Sequence, residues 1–142
     1  MKREIKFRRV FVKDTDESFS HFGIWGVDIN RASFISPPQN NKCHYVADQQ
    51  YTGLKDKNGK EVYEGDLLRE PIKENWDKEN FVVFEVFFHD NDSANQHIGF
   101  QFNRLHFQGA ICGYEMSEKF LPEYVSRMEV IGNVSENPEL LK

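Results

Sequence analysis

The residues able to do chemistry fall into three groups. His89, Asp90, Asp92 and His97 place imidazoles and carboxylates close together in one short stretch. These are ligand types that hold a divalent cation. Their spacing fits no standard metal motif, and polar residues between two hydrophobic runs are expected from solvation alone. They are read as a solvated loop, and no metal ligand is assigned. Cys43-His44, with Cys112 far along the chain, offers a thiol and an imidazole for nucleophilic or zinc chemistry. Neighbouring strand residues point to opposite faces, so the pair is not expected to share one site. Each cysteine is read as a small buried hydrophobe. Glu61, Glu64 and Asp66 would do general acid/base work only if their surroundings split their pKa values. They flank turn residues, and a structural role is expected.

Other catalytic signatures fail on inspection. Asp56-Lys57-Asn58-Gly59 looks like the start of a calcium loop, but the bidentate Glu required twelve positions in falls on Leu67. There is no Walker or dinucleotide glycine loop and no GxSxG elbow. The expectation is a protein without catalytic residues and without a cofactor.

Charge bears on the partner. The net charge is −5, whereas a sequence-independent nucleic-acid binder draws most of its affinity from neutralising phosphates. Locally the balance reverses. Within residues 2–13, Lys2, Arg3, Lys6, Arg8, Arg9 and Lys13 stand against Glu4 alone. Lys6, Arg8 and Arg9 would track a phosphate backbone while aromatic rings stack on bases. The plainer reading is a solvated strand face, which Asp14, Asp16 and Glu17 would partly neutralise if a hairpin folded them back. Nucleic acid is therefore the alternative partner, and protein the favoured one. Of the two tryptophans, Trp25 sits in an aromatic strand and reads as core. Trp76 sits in a charged loop and reads as an interface anchor or as a lid on the core.

The elements that must position these residues are short and mostly extended. Ile5 and Phe7 alternate with Lys6 and Arg8, a half-buried strand. FSHFGIWGVDI, residues 19–29, is a second strand, with Gly23 and Gly26 marking a bulge or a close backbone approach. Residues 30–42 read as a loop around Pro37-Pro38, and a strand follows over 43–51. Asn58-Gly59 signals a hairpin, since both residues tolerate the positive φ of tight turns. Glu64-Gly65-Asp66 is a second turn. FVVFEVFF, residues 81–88, predicts a strand buried on both faces. Ile98, Phe100 and Phe102 share one face of the next strand, with a phase slip before Leu105 and Phe107. Ser117 to Tyr124 starts like a helix that Pro122 should cut short. Residues 128–134 form a last strand, and Asn137-Pro138 opens a final helical turn. Short strands with turns between them predict a small barrel or sandwich.

Three stretches resemble the YopX family of phage and prophage proteins. They are REIKFR (residues 3–8), QYTGLKDKNGKEVYEGD (50–66) and EVIGNVSENPELL (129–141). The opening departs from the family pattern after Arg8, where the chain continues Arg9-Val10-Phe11-Val12-Lys13-Asp14. The resemblance implies a mainly β fold with a small SH3-like barrel element carrying the central hairpin, additional strands and one or two short helices. It implies one domain over residues 1–142 and no catalytic residues.

Together these readings predict a non-enzymatic, phage-derived protein-interaction module. Trp76, Lys57 and Asn58 are its expected contacts. The alternative is a nucleic-acid-binding accessory factor using Lys6, Arg8 and Arg9. The partner is expected to be a host or phage protein, or a second copy through an uncovered strand edge. There is no apolar signal-peptide core and no apolar run near the ~20 residues of a membrane span. With no CxxC spacing, the expected setting is the reducing cytoplasm of a bacterial host.

Overall fold

A computed structural model describes residues 5–28, 33–36, 39–71, 81–89, 99–108 and 122–141. The chain divides into two compact units, Met1–Gly53 and Leu54–Lys142.

In the first unit the alternating N-terminal segment forms β1 (Ile5–Lys13), followed by β2 (Phe19–Asp28), β3 (Ser33–Ile35) and the start of β4 (Cys43–Lys55). The strands lie side by side as β3-β2-β1-β4, with each of these pairings antiparallel. β3 falls inside the segment expected to be a plain loop. It is only three residues long and fully exposed, so it carries no burial pattern that would announce a strand. Gly26 is the close approach the sequence suggested. A Cβ there would stand 2.4 Å from the Ile5 carbonyl oxygen and 2.6 Å from Lys6 Cα. The β1–β2 turn closes with Glu17 at φ 59° and its N–H donating to the Lys13 carbonyl at 2.9 Å.

In the second unit β5 (Glu61–Tyr63) pairs beside β4. β6 (Asp66–Pro71), β7 (Phe81–His89), β8 (Gly99–Gln108) and β9 (Glu129–Asn133) form a sheet ordered β8-β7-β6-β9. The hairpin at Asn58-Gly59 forms as expected, with one difference. Gly59 takes φ +80° while Asn58 stays at negative φ. Gly59 N–H donates to the Asp56 carbonyl at 3.0 Å, and Asp56 N–H donates to the Lys60 carbonyl at 2.8 Å. This is the longer hairpin loop, a tight turn followed by one left-handed glycine.

The core of this unit is Val62, Leu68, Phe84, Val86, Phe102, Val125 and Met128. Burying each such side chain contributes about 1.5–3 kcal/mol. β7 is buried on both faces at Val83, Phe84 and Val86, as its apolar run with a single charge predicts. The phase slip in β8 is a β-bulge. Val83 pairs with His106 and Phe84 with Arg104, which leaves Leu105 as the extra residue. Residues 117–121, where the helix was expected to start, lie outside the described residues, and Pro122 is the first described helical residue. It opens α1 (Pro122–Val125), because the missing N–H costs nothing at a first helical position. A 3-10 turn, Pro138–Leu141, follows β9.

Among the described residues the fold is thus mainly β, with two antiparallel sheets and one short helix. The described strands close no barrel.

Candidate functional site

On β1, Phe7, Arg9 and Phe11 project to one face by strand alternation. Register brings Trp25 opposite Phe7, Asp48 opposite Arg9 and Tyr45 opposite Phe11. Phe34 lies opposite Val27 on the outer strand of the same sheet. The rings connect. Trp25 stacks on Phe7 at 4.6 Å between centroids and meets Phe34 edge-on at 6.2 Å. The Arg9 guanidinium sits 3.9 Å from the Tyr45 centroid and 5.6 Å from that of Trp25. A ladder Phe34–Trp25–Arg9–Tyr45 therefore crosses the sheet.

Asp48 holds the ladder in place. Its two carboxylate oxygens accept from Arg9 Nε at 3.0 Å and Arg9 Nη2 at 3.2 Å, a bidentate pair. Oδ1 also accepts from Trp25 Nε1 at 3.0 Å. Partial burial pushes the Asp48 carboxyl up. The hydrogen bonds from Arg9 and Trp25, with the Arg9 charge, outweigh that and leave it below its ordinary value. The hydrogen bond to Asp48 raises the Arg9 guanidinium in turn.

The ladder ends are open to solvent, with Phe34 60% and Tyr45 54% exposed. Ile5, Ile24, Val27, Ile35 and Val46 are exposed in the same unit, leaving Phe88 alone among the described exposed large hydrophobics outside it.

Beside the ladder lies a cavity of about 300 Å³. It is lined by Arg9, Phe11, Gln39, Asn40, Cys43, His44 and Tyr45. Cys43 Sγ–H donates to Ser20 Oγ at 3.5 Å. His44 Nδ1 lies 2.7 Å from Asp14 Oδ1, and its Nε2 lies 3.9 Å from Glu17. Cys43 and His44 were expected on opposite sides. Both line this cavity, at the start of β4 just before a bulge at Val46 interrupts the alternation.

The other predicted residues have structural partners. Arg8 is 7% exposed, donates to Gln49 Oε1 at 2.8 and 3.2 Å, and lies over the Phe22 ring. Lys6 sits over the Tyr51 ring at 4.6 Å. On the basic strand, Arg9 is neutralised by Asp48 on β4, and Lys13 acts on Asp16 of the turn. Of the acidic turn, Asp14 and Glu17 meet His44, while Asp16 accepts from the Ser18 hydroxyl and N–H, which lowers its carboxyl. Trp25 is half-buried in the ladder rather than in the core.

Lys57 and Asn58 are exposed at the hairpin tip, yet their backbones are committed. Lys57 N–H donates to the Met128 carbonyl at 2.9 Å, and Asn58 N–H donates to Asp56 Oδ1 at 2.8 Å. Lys57 Nζ lies 3.7 Å from Glu129. Asp66, 1% exposed, accepts from Tyr63 N–H and from Asn133 Nδ2. Trp76, Asp90, Asp92, His97 and Cys112 lie outside the described residues, and His89 ends β7. Among the described residues no group of three or more His, Cys, Asp or Glu could hold a metal ion.

The model of the YopX protein family matches residues 6–142, which takes in both units. The chain belongs to the YopX family. No curated protein matches it. Among solved structures, this YopX protein is similar to protein EF1440 from Enterococcus faecalis. That match has 20% identity and a TM-score of 0.52, and covers 99% of this chain and 100% of that one. The likeness is one of fold. Among the described residues of this YopX protein, no helix is long and apolar enough to cross a membrane.

The geometry also says what two of the YopX-like sequence blocks do. The block at 50–66 and the block at 129–141 are bonded to each other through Asp56 and Val130, and through Asp66 and Asn133. They specify the fold of the second unit. The aromatic ladder lies in neither block; its Tyr45–Asp48 edge precedes the first by a few positions.

Proposed function

We propose that this YopX protein is a non-enzymatic protein-interaction module of phage origin, acting in the cytoplasm of a bacterial host through the aromatic face of its β1–β4 sheet. The observation that carries this reading is the Phe34–Trp25–Arg9–Tyr45 ladder, exposed at both ends and locked by Asp48. Tryptophan, tyrosine and arginine are the residue types that dominate interface energies. Here they are held in one arrangement before any partner arrives, which lowers the entropic cost of binding. The Arg9 charge is matched by Asp48, so the face favours a protein surface over a polyanion. The central hairpin, with β5 and β6, is where an SH3-like element would lie. Its role in this reading is to build the second unit.

The alternative, a nucleic-acid-binding accessory factor using Lys6, Arg8 and Arg9, has less support. Arg8 and Arg9 already bond Gln49 and Asp48, and breaking those bonds would offset what a phosphate contact gains.

The test is affinity capture from host lysate with nuclease present, comparing the native chain with Phe34→Ser. Recovery of one discrete protein by the native chain, lost in Phe34→Ser, is the expected result. Recovery that collapses on nuclease treatment would move the nucleic-acid reading to the front.

A further inference from the structure

No further inference is drawn: the strongest candidate, the uncharged outer edge of β3 at Ser33–Ile35, exposed at the margin of its sheet, carries none, because nothing in the structure shows what covers it.

Discussion

Asp56 Oδ2 accepts a hydrogen bond from the backbone N–H of Val130 at 2.9 Å, joining residues 74 positions apart. The same carboxylate turns its other oxygen to Asn58 N–H at 2.8 Å and Lys60 N–H at 2.9 Å. One side chain therefore shapes the central hairpin and fastens it to β9. It is 6% exposed, and both its carboxylate oxygens are occupied by backbone donors.

Replacing it tests that role. Asp56→Ala leaves three backbone N–H groups without their charged acceptor, and bonds to charged groups contribute about 1.5–3 kcal/mol each. Water recovers part of this at the exposed tip. The expected loss is about 3 kcal/mol, read as a lower urea midpoint. A loss below about 0.5 kcal/mol, the usual size for a surface change, would show that the clasp is incidental.

Two glycines should respond differently to alanine. Gly59 has φ +80° and open space around it, so Gly59→Ala should cost about 1–2 kcal/mol from backbone conformation alone. Gly26 faces backbone atoms of Ile5 and Lys6 at 2.4 and 2.6 Å. Gly26→Ala must push β1 away from β2, which adds an overpacking cost of about 1–3 kcal/mol. Thermal melts of the two variants should rank Gly26→Ala as the more damaging.

The Asp48 carboxyl is lowered in the folded chain, and the sign of its pH effect follows. A depressed carboxyl contributes stability that is fully present above its unfolded value, about 3.9, and is lost as pH falls through the folded value. Asp48→Asn should melt at a lower temperature than the native chain at neutral pH. The gap should narrow on acidification below about pH 4. A gap independent of pH would mean that the charge of Asp48 contributes nothing.

Nucleic-acid binding should be weak. At about 150 mM salt, where the screening length is about 8 Å, a labelled single-stranded oligonucleotide should show little anisotropy change. Asp48→Asn, which releases Arg9, should bind it more tightly than the native chain does. Tight, steeply salt-dependent binding by the native chain would contradict the pairing argument.

Much of the fold was legible in the sequence because local rules governed it. β7 announced itself through FVVFEVFF, and the slip between Phe102 and Leu105 became the β8 bulge. The Asn58-Gly59 and Gly65 turns formed where turn chemistry put them. β3 was missed because an exposed three-residue strand leaves no period to read. The helix expected from Ser117 is described only over Pro122–Val125, where proline sits at the first position, which tolerates it. The site was less legible. Trp25 was assigned to the core, and its pairing with Arg9 and Asp48 depends on the β1–β4 register, in which a bulge at Val46 sets Tyr45 opposite Phe11. The sequence did carry one usable signal: aromatic residues at alternate positions on β1 and β2, beside an arginine, with an acid and a tyrosine on a third strand.

The most direct test of the aromatic face as a protein-binding surface is photocrosslinking in host cells. A benzophenone amino acid would replace Phe34 or Tyr45 in separate chains, and Asn58 in a third as the control. A discrete protein adduct from positions 34 and 45, absent from position 58, is the predicted result. Adducts from position 58 alone, or none from the aromatic face, would contradict the assignment and return the hairpin to first place.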